Sequence, residues 1–316
     1  MAVTTPPLTT APDLVRQRLQ GKKVDTAGLT FRALLLLALL VTMAVLVVLL
    51  VEVITGGWAV LSTRLGDFLT GKLGSAAATS GIAQGLRGTF FIGVFVVVLA
   101  FPLGVGAAIY LEEYASKSRF ARFVDINIRN LAGVPSVVYG LLGFAIFVKA
   151  LRFLTGPGSA NGATVISAGL TLAILVLPIV IITSAEAIRA VPDSLREAGF
   201  GVGATRWEVV RSHVLPYASP GILTGTVLSL ARALGEAAPL ILVGATTGFL
   251  SEGAGYSLAS LQERFTAMPI VIYTWAGRPQ PGFENNTAAA IVVLLAVVLL
   301  ANAVAILLRN RYEKRR

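Results

Sequence analysis

The stretch Thr164-Val165-Ile166-Ser167-Ala168-Gly169-Leu170-Thr171-Leu172-Ala173-Ile174-Leu175-Val176-Leu177-Pro178-Ile179-Val180-Ile181-Ile182-Thr183-Ser184 contains 21 residues and no charged side chain. A hydrocarbon core about 30 Å thick takes about 20 helical residues to cross. Lipid offers no water to satisfy open backbone groups, so a crossing segment is either a helix or part of a closed barrel. A barrel would show short runs of alternating polarity, whereas these apolar residues form one block. The stretch therefore predicts a membrane-spanning helix.

Five further blocks meet the same test: Ala33–Ile54, Gly88–Leu111, Leu131–Val148, Gly221–Ala245 and Thr287–Leu308. Of the 316 residues, 55% are hydrophobic and 13% charged, with mean hydropathy +0.80. Soluble domains carry about 25% charged residues, so this chain lacks the polar surface that water demands. The expected fold class is an all-α integral membrane protein with six transmembrane helices. Pro102, Pro178 and Pro239 fall inside three blocks, and each is expected to break or kink its helix. The first block is read as a retained helix: a long polar stretch precedes it, and its apolar run is too long for a signal peptide.

The net charge of +10 is distributed along the chain as a topology signal rather than as a nucleic-acid-binding face. Lys and Arg number five in the N-tail, four in the second loop, four in the fourth loop and five in the C-tail. The other side carries three, two and two, and Arg232 lies within a span. By the positive-inside rule, 18 against 7 places both termini in the cytoplasm of a multi-pass cell-membrane protein. Three regions result: a cytoplasmic tail over 1–32, partly disordered; a six-helix transmembrane domain over 33–308; and a basic tail over 309–316. The loops 185–216 (cytoplasmic) and 246–286 (outer) are long enough to carry function. Glu112-Glu113, at the end of the second block, reads as an interfacial anchor.

The absence of cysteine and the single histidine, His213, argue against thiolate chemistry, disulfides and a histidine-cluster metal site. No nucleophile–base constellation stands out, so no catalytic residue and no cofactor is assigned. The Gly-x-Gly-x-Gly at Gly199, Gly201 and Gly203 follows no strand, and the chain has no phosphate-binding Gly-x4-Gly-Lys-Ser/Thr motif. If ATP powers this protein, another chain hydrolyses it.

Loop 185–216 carries the most specific pattern. Pro192 and Ser194 suit a helix start, with Glu197 placed to complete a capping box. The glycines then interrupt the helix. A second amphipathic run, Arg206–Val214, sets Trp207, Val210 and Val214 on one face, and Pro216 is expected to end it. Helix, glycine turn and helix make a compact knob suited to a partner's groove. The spacing of Glu197, Ala198, Gly203, Leu215 and Pro216 resembles the EAA loop of ABC importer permeases. Gly199 replaces that family's third small residue, Ala, and His213 replaces its Ile. The resemblance implies that this loop docks on an ATP-binding subunit.

Arg232 and Glu236 stand at i and i+4 in an otherwise apolar segment. An ionised residue at the bilayer centre costs about 2.5–3.5 kcal/mol on insertion scales, so it faces a partner or an aqueous path. The residues alone allow a structural ion pair or an element of an anion pathway. Arg suits an oxyanion because its planar fork reaches two oxygens and stays charged.

The run Ile222–Pro239 around that pair resembles the matching helix of phosphate-specific ABC permeases of the PstA type. So do Val134–Gly143 and Ile272–Pro279. The resemblance extends from about residue 88 to the C-terminus. Many relatives of that type have an Arg where this chain has Ile182, before Thr183-Ser184-Ala185-Glu186. The resemblance implies a permease subunit for inorganic phosphate working with a homologous permease, two ATP-binding subunits and an extracytoplasmic phosphate-binding protein. Trp275 and Arg278, with Glu284, are then candidate outer-loop contacts. The rival readings are a permease for another oxyanion and a secondary transporter driven by an ion gradient.

The counted charges place Ser212 in the cytoplasm. A Ser212→Cys variant, in a chain with no native cysteine, should resist a membrane-impermeant thiol reagent in intact cells and react after permeabilisation. Labelling of intact cells would reverse the topology.

Overall fold

The computed structural model describes residues 26–115, 118–156, 161–245 and 261–313. The chain divides into two compact units, Met1–Glu52 and Val53–Arg316. The sequence-based reading of the tail up to residue 25 and of residues 246–260 and 314–316 lies outside the described residues. All regular structure among the described residues is helical.

We number the helices α1 (Thr26–Thr70), α2 (Ala83–Tyr114), α3 (Arg119–Ala132), α4 (Ser136–Ala150), α5 (Val165–Arg189), α6 (Asp193–Gly201), α7 (Arg206–Gly235), α8 (Ala238–Val243), α9 (Met268–Ala276) and α10 (Phe283–Glu313). Five of them, α1, α2, α5, α7 and α10, are long and apolar enough to cross a membrane. The bent pair α3 and α4 brings the number to six. In the first unit, every described residue of α1 is exposed, and the side chains are almost all aliphatic. Such a surface belongs in lipid or against another membrane helix.

The second unit is built around α5. α2, α4 and α7 each reach it through a glycine, and α5 contributes one of its own. A Cβ on Gly104 would sit 2.6 Å from Val180, and one on Gly169 of α5 would sit 2.6 Å from Phe95. Gly143 likewise abuts Thr171, and Gly225 abuts Thr183. Lipid tails are as apolar as leucine, so helices in a membrane associate by close packing rather than by escape from water. These approaches supply that packing. One core cluster fills the middle, with Ile92, Val96, Leu172, Val176 and Ala233 among its members.

A second cluster, on one end of the bundle, packs Phe68, Met268, Trp275 and Phe283 together. Arg64 sits beside it at a break in the helical geometry of α1 (φ −142°, ψ 33°). It donates to the carbonyls of Ala77, Ala78 and Ser80 at 2.8, 2.8 and 3.1 Å, and to Asn286 Oδ1 at 2.5 Å. One guanidinium thereby satisfies the open carbonyls of the turn between α1 and α2. At the opposite end, a third cluster joins Ala108 of α2 to Ile188, Val191, Val209 and Val214.

The third and fifth sequence blocks differ from expectation. Leu131–Val148 is not one helix: Gly133-Val134-Pro135 separates α3 from α4, which meet at 100°. The residue before a proline avoids the helical region, so the chain turns there, and the amphipathic α3 runs across the direction of α4. The Gly221–Ala245 block is also displaced. Helix α7 starts at Arg206, ends at Gly235, and gives way to α8 after an extended Glu236 (φ −79°, ψ 120°).

Only one of the three intramembrane prolines stands at a helix break. Pro239 opens α8, but α2 runs through Pro102 and α5 through Pro178. In α2 a widened π-type turn, Val96–Ala100, precedes the proline, and a similar turn at Val210–Val214 carries α7 through Pro216. A π turn shifts the i−4 carbonyl that the proline ring would otherwise strike. Pro216 therefore does not end the helix that begins in the knob.

Candidate functional site

Two regions collect the residues singled out by sequence: the knob at the α5–α6–α7 corner and the break between α7 and α8.

In the knob, α6 ends in a paired cap. The Ala204 N–H donates to the Gly199 carbonyl at 3.2 Å, and the Gly203 N–H donates to the Phe200 carbonyl at 2.9 Å. Gly203 holds φ +84°, and nothing lies within 4 Å of where its Cβ would be. This pattern is a Schellman motif, whose left-handed residue is usually glycine. Gly203 is therefore needed for its backbone, not for space. Gly199 is needed for space: a Cβ there would meet Val209 at 2.8 Å and His213 at 3.4 Å. The two departures from the EAA pattern, Gly199 and His213, are thus neighbours, and the smaller residue leaves room beside the imidazole.

The capping box lies on α7 instead of α6. The Glu208 N–H donates to Thr205 Oγ1 at 3.4 Å, and the Thr205 N–H donates to Glu208 Oε2 at 2.7 Å. Pro192 begins α6 without a side-chain cap. Val210 and Val214 are buried as expected, but Trp207 stays exposed and Val209 takes the third buried position. With Phe200 and Val202, Trp207 leaves the knob with an exposed apolar tip, while Glu197 and Ala198 are exposed beside it and Leu215 and Pro216 are half-buried.

One interaction that sequence reading missed fixes the knob to the bundle. Arg196 donates from Nη2 and Nε to Glu113 Oε1 at 2.8 and 3.1 Å. It also donates to the carbonyls of Val191 and Ile188 at 2.7 and 3.0 Å, and to Asp193 Oδ1 at 3.0 Å. The side chains of Arg196 and Glu113 are only 18% and 9% exposed. Next door, Arg189 donates to Glu112, from Nε at 3.2 Å and from Nη2, but its side chain is 55% exposed. Hydrogen bonds to charged groups contribute about 1.5–3 kcal/mol each, whereas exposed ion pairs contribute about 0–1 kcal/mol in total. The Arg196–Glu113 joint is therefore the stronger tie. Glu112-Glu113, read from sequence as an interfacial anchor, supplies the counter-ions of these two arginines. Arg206 adds its guanidinium over the Tyr114 ring at 5.7 Å.

At the other region, Arg232 Nε lies 3.4 Å from Glu236 Oε1. The i, i+4 pairing is present, but Glu236 is the extended residue that ends α7. α8 then lies against α4, where a Cβ on Gly140 would come within 2.7 Å of Pro239 Cα. Arg232 is 52% exposed and Glu236 19%. It lies 16 residues beyond Pro216, about 24 Å along the helix. A guanidinium so deep and so open points to an aqueous path or a partner rather than to lipid.

The outer-loop candidates separate. Trp275 is 1% exposed and fills the core between Phe68 and Phe283, with ring centroids at 6.2 and 5.7 Å. It cannot touch a docking partner while the protein is folded. Arg278 donates to the Gly74 carbonyl at 3.1 Å and lies over the Phe283 ring at 4.6 Å, so it clasps two loops together.

Residues 100–316 match the family model described as "Binding-protein-dependent transport system inner membrane component". The chain belongs to that family. This inner membrane component is 33% identical over 306 residues to "Phosphate transport system permease protein PstA 1" of Mycobacterium tuberculosis (strain CDC 1551 / Oshkosh), covering 95% of this chain and 92% of that one. It is 30% identical over 204 residues to "Phosphate transport system permease protein PstC" of Mesorhizobium japonicum, covering 59% and 62%. Its fold is similar to that of a chain in the crystal structure of a bacterial ABC transporter involved in the import of alginate. That match has a TM-score of 0.59 at 19% identity, over 88% of this chain and 97% of that one.

Gly203 gives a test of the knob. Other L residues pay about 1–2 kcal/mol in the left-handed region, and asparagine is the best tolerated of them. Gly203→Leu should insert in the membrane yet lose most transport per inserted chain, and Gly203→Asn should keep more. Transport by Gly203→Leu at the parent rate would remove the turn from the coupling path.

Proposed function

We propose that this permease is the membrane-spanning subunit of an ATP-driven importer of inorganic phosphate. The observation that carries the reading is the half-exposed Arg232 beside Glu236 at a helix break, in a chain similar over nearly its whole length to a phosphate permease. The guanidinium is permanently charged and offers a planar fork of donors to two phosphate oxygens. Glu236 balances that charge when no anion is bound. The anion then meets a cation whose position is set by the end of α7, and no covalent step is involved.

The partners follow from the same reading. Similarity to both a PstA and a PstC permease supports pairing with a homologous permease subunit. The apolar tip of Phe200, Val202 and Trp207 is the surface that enters a groove on an ATP-binding subunit, one per permease. ATP is hydrolysed there, not on this chain. An extracytoplasmic phosphate-binding protein delivers the anion at the opposite end. The knob and both termini lie in the cytoplasm, as the excess of Lys and Arg on that side favours. ATP binding draws the two knobs together and rocks the permease halves from inward- to outward-facing.

The competing role for Arg232 is purely structural, and a double variant separates the two. If the pair only stabilises the fold, Arg232→Gln strands Glu236, and adding Glu236→Gln should restore both assembly and transport. On the pathway role, the double variant assembles but moves little phosphate, because neutral amides do not compensate an anion for its lost water. Phosphate uptake per assembled complex decides. Substantial uptake by the double variant would leave Arg232 a structural partner.

A further inference from the structure

We propose that the Arg196–Glu113 joint makes α2 follow the knob, so that α2 carries movement of the knob to the Arg232–Glu236 break. The proposal rests on the assignment of the knob as the coupling element. It adds Glu113 and Arg196 as positioning residues and α2 as a second rod beside α7, which itself runs from the knob to the break.

The geometry has three parts. First, the attachment of α2 to the knob is wholly noncovalent. α5 enters α6 through three residues and α7 leaves the knob as one helix, so both must move with it. α2 is tied at that end by two hydrogen bonds from Arg196 to Glu113, by the pair that Glu112 makes with Arg189 at the end of α5, and by the packing of Ala108.

Second, the joint is electrostatically conditional. Two adjacent glutamates close the C-terminal turn of α2, where the helix dipole disfavours negative charge. Their stability there depends on Arg189 and Arg196. If the knob moved alone, Glu113 would be left in a largely buried position without its cation, the costly arrangement for a charge. The favourable course is for α2 to move as well.

Third, the other end of α2 reaches the proposed anion site. A Cβ on Gly93 would lie 3.2 Å from Leu234 Cδ2, two residues from both Arg232 and Glu236. Ile92 and Val96 share a core cluster with Ala233, and Ala237 packs against it. From Gly93 to Glu113 is 20 residues of continuous helix, about 30 Å. A displacement of Glu113 along the α2 axis is therefore felt at the turn where α7 ends.

The test uses the intact complex with its ATP-binding subunits and phosphate-binding protein in proteoliposomes, reading phosphate moved per ATP hydrolysed. Glu113→Gln keeps the shape and an acceptor but removes the charge. It should lower the ratio about tenfold while ATP hydrolysis stays within about twofold of the parent. An unchanged ratio would overturn the proposal. A second measurement needs no variant at the joint. Spin labels at Tyr110→Cys on α2 and Ser194→Cys on α6, both exposed in a cysteine-free chain, report the distance across it. In the parent that distance should be the same without nucleotide and with ATP bound; in Glu113→Gln it should shift beyond the width of the parent distribution. A parent distance that changes with ATP would show that the knob moves without α2. If the parent complex moves no phosphate at all, the substrate assignment fails, and the label distances still decide the joint.

Discussion

In the second unit, three of the helices around α5 reach it at a position where one partner has no side chain. Gly104, Gly143 and Gly225 bring α2, α4 and α7 onto Val180, Thr171 and Thr183, and Gly169 of α5 accepts the ring of Phe95. Because lipid provides no hydrophobic force between helices, these approaches determine which helices touch and in what register. Three arginines then serve the ends of the bundle or a break in a helix, while the polar residues buried between the helices are small hydroxyls such as Thr171 and Ser229. Arg64 gathers carbonyls at one end, Arg196 gathers carbonyls and carboxylates at the other, and Arg232 sits where α7 stops.

The three arginines illustrate how one side chain serves different ends. Arg64 and Arg196 are saturated by partners and act as fasteners. Arg232 meets Glu236 at 3.4 Å and remains half open, so its donors are available. That difference in saturation, rather than residue type, distinguishes a structural cation from a candidate for anion transfer.

The apolar blocks were legible because spans in lipid must be long and uncharged: α1, α2 and α10 contain the blocks read for them, and α5 starts one residue inside its block. The break at Gly133-Val134-Pro135 was written in the chain but masked by apolar residues on its C-terminal side, which made Leu131–Val148 look continuous. Pro216 was read as a helix end because a π turn cannot be seen in a pattern of residue types. The glycine turn of the knob was legible from spacing and residue type, and Gly203 is the residue that holds it in the left-handed conformation. The fasteners were not legible. Arg196 and Glu113 are 83 residues apart and Arg64 and Asn286 are 222 apart, and a single sequence carries no sign of such pairings. Trp275 was misplaced for a related reason: its burial depends on Phe68, far away in the sequence, as well as on the nearby Phe283.

The central proposal is that ATP bound by the subunit that docks on the knob, and not an ion gradient, moves phosphate past Arg232. It is tested most directly by phosphate accumulation in sealed proteoliposomes of the purified complex, with ATP supplied to one face at a time and the proton and sodium gradients collapsed by ionophores. Uptake is expected only when ATP is on the face bearing the knob, undiminished by the ionophores. Uptake that proceeds without ATP and stops when an ion gradient is collapsed would contradict it.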